Sequence, residues 1–399
     1  MWENLFRPYA AVITVIVFAL IGLLWLVGAN LPLLAPFSQG LRDFELTDIA
    51  YAQLRRAAPE IDPRILIVNT GLPERGQLAA MLERIIAAQP KAIGLDVLLE
   101  GRKAPLADSL LQQALKESDR IVLASTLEHY REDQGYFQKE NGVDTFFSNH
   151  ARTGYVNFPS LSSQTIRFFS PQEMTATGPA YSFALELARR YDPQAAERLF
   201  KRKKQLERIH YATSADRFIL FQPEQILDSA LDLRPLLQGK IVLLGFNGNP
   251  GDDCNLLDKF YTPLNERYAG RSEPDMHGIA IHANIIQMIL DGRFVREVPF
   301  WLSLLLAIWL CFAGVALWEQ VYRRFPELHH PIIRLLQLLG FMVLFFVIVL
   351  LFHGLRLKWD FTLGLLAWLL FVDVALSYEG CLRLRRPWNS WLPRTMRRE

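Results

Sequence analysis

Four apolar runs, one at the start of the chain and three crowded near its end, limit what this sequence can fold into. Residues 8–41 carry no charge, nor do residues 299–318 and 335–352, while residues 361–378 carry one, Asp373. Each run approaches the roughly 20 residues that cross a hydrocarbon core of about 30 Å. Backbone N–H and C=O groups have no water to bind in lipid, so such runs must be helices. Four crossings return both chain ends to the same side.

Arg and Lys in short flanks stay in the cytoplasm. Arg323, Arg324 and Arg334 lie between the second and third runs, and Arg383, Arg385, Arg386, Arg394, Arg397 and Arg398 follow the fourth. The turn between the third and fourth runs has only Arg356 and Lys358. The tail is therefore expected in the cytoplasm and the long middle segment outside it. The first run has an alternative as a cleaved signal peptide, since Arg7 precedes it and Val27, Gly28 and Ala29 are small. Its apolar core, residues 9–27, exceeds the roughly 7 to 15 residues of a signal peptide core, so a retained anchor is expected. The resulting organisation is a first membrane helix in 1–29, an outer domain in 30–298, three membrane helices in 299–378 and a basic tail in 379–399. That tail leaves little room for an output enzyme, which predicts a separate membrane or cytoplasmic effector.

The outer segment is long enough for one large or two small cores. Of three cysteines, Cys311 lies in a span and Cys381 at its cytoplasmic edge, leaving Cys254 with no partner for a disulfide within the outer domain. A net charge of +2 gives no reason to expect a nucleic-acid surface.

Residues 42–58 read as a helix, with Leu41, Phe44, Ile49 and Leu54 giving an apolar face. Residues 65–68 and 92–98 read as buried strands around an amphipathic helix in 77–88, a pattern that requires a parallel pair with a crossover. Residues 106–116 repeat the helix and 121–125 the strand. Residues 154–158 and 165–169 look like a short antiparallel insertion, followed by a helix in 181–191. Residues 240–245 form a last buried strand, 246–272 a long loop, and 278–290 a helix that ends at Asp291 and Gly292, shortly before Pro299. The expected fold is an α/β extracytoplasmic domain with a mostly parallel sheet, plus four transmembrane α-helices.

The stretch Met276-His277-Gly278-Ile279-Ala280-Ile281-His282-Ala283-Asn284-Ile285-Ile286-Gln287, continuing through Gly292-Arg293-Phe294 to Pro299, resembles the carboxyl-terminal signature of the CHASE type-two domain. The family name denotes a sensory extracellular domain associated with cyclases and histidine kinases. Gly239-Lys240-Ile241-Val242-Leu243-Leu244-Gly245 resembles its last strand, Tyr261-Thr262-Pro263 a Thr-Pro step, and Ile93-Gly94-Leu95-Asp96-Val97 a strand carrying an acid. The resemblance covers about residues 9 to 378 and includes the arrangement of one membrane helix before the domain and three after it. It implies a sensor, with a homodimer as a further implied state for which no local signal exists. Family members often end their first strand in acidic residues and continue into an output domain. Here Ile67-Val68 runs into Asn69-Thr70-Gly71.

Ligands of open parallel sheets bind beyond the carboxyl ends of the strands. That rim would hold Asn69, Thr70, Asp96, Ser125, Thr126, Phe246 and Asn247, with Asp252 and Asp253 in the loop nearby. The ordinary reading is that polar residues gather wherever strands become loops. Asp252, Asp253, Asp258, His277 and His282 could be taken as metal ligands, but two ligating histidines on a helix stand four apart and these stand five apart, so no metal is expected. His282 and Asn284 are expected to hold the terminal helix by hydrogen bonds, since either left unpaired would cost about 1 to 3 kcal/mol. Gly292 and Pro299 mark the passage from that helix to the membrane.

No grouping of nucleophile, base and orienter is visible, so neither catalysis nor a cofactor is expected. Residues 201–204 read as a solvated helix face. Asp373, an acid within a span, costs roughly 2.5 to 3.5 kcal/mol on insertion and is expected to meet Arg334 or a partner subunit. The chain reads as a sensor or adaptor in a bacterial inner membrane, with the lipid bilayer and an effector protein as partners. Its rival is a scaffold subunit of an envelope complex with no small ligand.

Overall fold

The computed structural model describes residues 8–30, 45–54, 61–159, 164–248, 257–265 and 273–384. The helices that matter here are α1 (Pro8–Asn30), α2 (Leu46–Gln53), α3 (Arg75–Ala87), α4 (Pro105–Lys116), α5 (Phe183–Tyr191), α6 (Pro193–Phe200), α7 (Gly278–Asp291), α8 (Phe300–Arg324), α9 (His329–Leu355) and α10 (Thr362–Leu384). The chain divides into two compact units, 40–295 and the combination of 1–39 with 296–399.

In the first of these units, the apolar strands Ile65–Asn69, Ala92–Asp96 and Ile241–Gly245 form the buried centre of a sheet whose antiparallel side is more polar. Its strands are β1 (Ile65–Asn69), β2 (Ala92–Asp96), β3 (Ile121–Arg131), β4 (Tyr136–Asn141), β5 (Arg152–Tyr155), β6 (Gln172–Thr175), β7 (Gly178–Tyr181), β8 (Ile219–Phe221) and β9 (Ile241–Gly245). The spatial order is β8-β1-β9-β2-β3-β4-β6-β7, with β5 also paired to β3. The pairs among β8, β1, β9, β2, β3 and β5 are parallel, whereas β3 with β4 and β6 with β7 are antiparallel. On one face Leu66, Val68, Ile93, Leu95, Val242 and Leu244 pack against Leu78, Leu82, Ile85, Leu111 and Leu115 of α3 and α4. Helix α5 covers β2, β3 and β5 on the other face, and α7 covers β1 and β9.

Two expectations need correction. Residues 154–158 and 165–169 do not pair as an antiparallel insertion: β5 runs parallel beside β3, and Phe168–Phe169 pairs antiparallel with Glu207–Arg208. An apolar run announces a strand but not its partner, and here the open edge of β3 supplies it. The run at 201–204 is not wholly solvated either. Arg202 reaches from the turn after α6 to Glu207 at 2.5 and 3.2 Å and to the Val295 carbonyl at 3.0 Å, while Lys201, Lys203 and Lys204 are exposed.

Residues 278–290 of helix α7 are all buried. A helix apolar around its whole circumference belongs inside a core. Gly292 ends it in the left-handed conformation at φ 62°, a position that glycine takes without a Cβ clash.

In the second unit, α1, α8, α9 and α10 are each long and apolar enough to cross a membrane. Ile13, Val17, Cys311, Val315, Trp318, Ile333, Phe371 and Val372 form their shared core. Trp368 Nε1 donates to the Gln337 carbonyl at 2.8 Å, and Gln337 Nε2 returns bonds to the carbonyls of Trp368 and Leu369 at 2.9 and 2.6 Å. Arg334 donates to Gln337 Oε1 at 2.9 Å and forms an ion pair with Asp373. At the opposite ends of these helices, Arg296–Glu297 pairs in parallel with Leu357–Lys358.

Candidate functional site

Parallel register sets the rim of the sheet. Asn69 of β1 stands opposite Gly245 of β9, which stands opposite Asp96 of β2. Three neighbouring strands thus end together, and the groups at their tips have different uses. Asn69 Nδ2 donates to Gly248 O at 2.7 Å and Gln222 Oε1 at 3.1 Å, while its Oδ1 accepts from Asn247 N and Gly71 N at 2.9 and 3.1 Å. This side chain ties three loops together and has no capacity left over. Thr70 N–H donates to the Gly245 carbonyl and its hydroxyl to Gly71 O, and Ser125 donates to Glu140 Oε1 at 2.7 Å. Asn247 keeps a buried Oδ1 with no hydrogen-bond partner among the described residues. Asp252 and Asp253 lie outside the described residues.

Asp96 differs from these. It opens into a cavity of about 470 Å³ lined by Val156, Asn157, Phe158, Pro159, Gln164, Ile166, Asp258, Phe260, Gly278 and His282 as well. Such a volume falls within the range of small-molecule sites, roughly 300 to 1,000 Å³. Asp96 is half-buried, with solvent reaching it through the cavity. Burial, with Asp258 adding like charge, pushes its pKa up to about 7.

Asp258 reaches the cavity by a different route. Lys259–Phe260 pairs antiparallel with Met276–His277, which brings the preceding residue over the first turn of α7. The Gly278 N–H donates to the Asp258 carbonyl at 3.1 Å. A β-carbon on residue 278 would stand 3.0 and 3.2 Å from the carboxylate oxygens, so glycine leaves room for the acid. Burial of its inner side moves Asp258 up to about 6, partly offset by the Gly278 N–H. A helix N-terminus favours a carboxylate in the same sense.

His282 forms the floor, 4 % exposed. Its ring stacks on Phe158 with centroids 5.0 Å apart and meets the edge of Phe183 at 5.4 Å. Burial lowers its pKa to about 3, so the imidazole is neutral. Its Nδ1 is buried with no hydrogen-bond partner among the described residues, contrary to the expectation that this histidine bonds the helix to the domain. Aromatic packing takes that place. Asn284 does make such bonds: Oδ1 accepts from Thr213 N at 3.0 Å and Nδ2 donates to Thr213 O at 2.9 Å and Ala280 O at 3.1 Å.

Of the rim residues singled out from sequence, then, Asp96 lines the cavity and is joined there by His282. Sequence reasoning passed over Phe158 and Phe260 and placed Asp258 only in a discarded metal set. Their spacing in sequence carries no common period. The available signal was an acid two residues before an aromatic residue, Asp258 and Phe260, within the long loop 246–272. Among the described residues no group of His, Cys, Asp and Glu is arranged to hold a metal ion.

Compared with known families, residues 16–317 match a family model described as the CHASE2 domain. Neither the curated proteins nor the solved structures gave a significant match.

Proposed function

The chain belongs to the CHASE2 family of sensory extracellular domains, and on that premise we propose that it is a sensor whose α/β unit lies outside a bacterial inner membrane and whose signal passes to a separate effector protein. Four membrane-capable helices make it a multi-pass membrane protein. The arginines between α8 and α9 and after α10 support a cytoplasmic carboxyl terminus.

One observation carries the reading. The cavity wall includes Gly278 and His282, both on α7, and only residues 292–299 separate α7 from α8 in the chain. A ligand that moves the first turns of α7 acts on the helix that leads into the membrane. The exposed Asp258 and the buried neutral His282 in its wall suit recognition. Binding can bias a two-state element only through unequal affinity for the two states, and a wall shared with α7 supplies the place for that difference.

Several glycines inserted between Gly292 and Val298 test the relay. Ligand-dependent output in the host membrane should be lost while the outer unit still melts cooperatively. Output that survives the insertion contradicts the relay. Affinity purification from membranes identifies the effector, and a stable partner bound to the outer unit with no ligand response would instead favour a scaffold.

A further inference from the structure

Carboxylates in the α/β unit are commonly matched to a base. Asp62 meets Arg64, Asp108 meets Arg75, Glu186 meets Arg189 and Glu207 meets Arg202. Asp96 and Asp258 break the pattern, because no basic side chain among the described residues lies within ion-pair distance of either. They line one cavity with two aromatic rings and a neutral imidazole. Lys259, next in sequence to Asp258, lies in strand register with His277, and its charge acts on that histidine. The groups facing Asp96 are therefore Asp258, from the loop before that strand, and His282, from α7.

We propose that this cavity binds a small organic cation, an amine whose ammonium group is held by Asp96 and Asp258 and whose carbon chain lies against Phe158 and Phe260. The inference rests on the sensor reading for its purpose and names the ligand class that reading leaves open. Two acids with no base among the described residues nearby create a negative potential that an organic cation would relieve whenever the acids are ionised. A bare metal ion is not the candidate, since the described residues offer no three-ligand cluster. Phe158 and Phe260 stand edge to face at 5.4 Å, and aromatic faces attract ammonium groups. His282 stays neutral and adds no competing charge. Its Nδ1 is buried without a hydrogen-bond partner among the described residues.

The raised pKa values of the two acids add a signature. Near pH 6 part of the carboxyl population is protonated in the empty protein, and an arriving ammonium group favours ionisation, so binding should release protons. Affinity should fall as pH drops from about 7 to about 5 and both acids protonate.

The test is calorimetric titration of the full chain in detergent micelles with putrescine, with butanediol as the neutral analogue and succinate as the anion. Putrescine should bind, butanediol and succinate should not, and titration in buffers of different ionisation heat should reveal proton release near pH 6. Asp96→Asn and Asp258→Asn should each weaken putrescine binding about tenfold or more, the effect of losing a charge-assisted bond. If Asp96→Asn fails to fold, Asp258→Asn carries the comparison, because Asp258 lies at the exposed rim. Absence of putrescine binding, equal binding of butanediol, or undiminished binding by the folded variants would overturn the assignment. These outcomes concern the purified protein alone, so they leave the relay standing, whereas binding without any change in membrane output would defeat the relay and leave the ligand class intact.

Discussion

Gly245 lies so close under Ile279 that a β-carbon on it would stand 2.7 Å from the Ile279 Cδ1 methyl and 3.0 Å from Asp96 Cβ. The end of the central strand is therefore the seat of the terminal helix and a neighbour of the cavity at once. Gly245→Ala should force α7 away from the sheet and cost about 1 to 3 kcal/mol, the usual penalty of overfilling a packed interior. Urea unfolding of the outer unit measures the loss. An unchanged midpoint would mean that the helix is not held by this contact.

Asn284 is fully buried and satisfies both backbone groups of Thr213. Asn284→Ala leaves a buried N–H and a buried C=O without partners, at about 1 to 3 kcal/mol for each such group. A loss of roughly 3 kcal/mol in unfolding free energy is expected. Since His282 lacks such bonds, His282→Phe should be far milder.

Stability of the outer unit should depend on pH through Asp96 and Asp258. Each has a folded-state pKa raised from 3.8, to about 7 and about 6. The folded protein thus holds protons that the unfolded chain has already released, and the slope of stability with pH is negative in that window. The contribution is fully present below about pH 4 and disappears as pH rises through about 7. Thermal midpoints of the outer unit should fall between pH 5 and pH 8, and Asp96→Asn should flatten that fall. Asp62 acts in the opposite sense at lower pH: burial pushes its carboxyl up, but hydrogen bonds and charge from Arg64 outweigh that and hold it below the usual range, so its contribution is lost on acidification.

Arg334 and Asp373 form an ion pair between α9 and α10, with Gln337 beside them. Asp373→Leu strands an arginine in the bundle, where insertion scales charge roughly 2.5 to 3.5 kcal/mol. The amount of folded protein in the membrane should drop, and adding Arg334→Leu should restore much of it. A double variant no better than Asp373→Leu alone would show that the two charges act independently.

Length and period made the elements legible, because a strand of four buried aliphatic residues or a helix with leucines on one side has few alternatives. Residues 65–68, 92–98 and 240–245 could be read in this way, with the strands ending at Asp96 and starting at Ile241. What period cannot carry is pairing. Nothing in 240–245 says that this strand enters between β1 and β2, because order in a parallel sheet is decided by long-range packing. The register of Asn69, Gly245 and Asp96 follows from that insertion, and so does the cavity. Asp258 and Phe158 meet there from loops far apart in sequence, which leaves no local trace. Asn69 reads as a ligand residue by its place at a strand end, yet its hydrogen bonds are consumed by the loops it ties.

The central claim is that the α/β unit faces the outside while the chain end after α10 stays in the cytoplasm, so that a signal must cross lipid. Protease added to intact spheroplasts carrying the protein with a carboxyl-terminal epitope tests it most directly. The account predicts that the outer unit is digested and the epitope survives attached to a membrane fragment; loss of the epitope with the outer unit intact would contradict it.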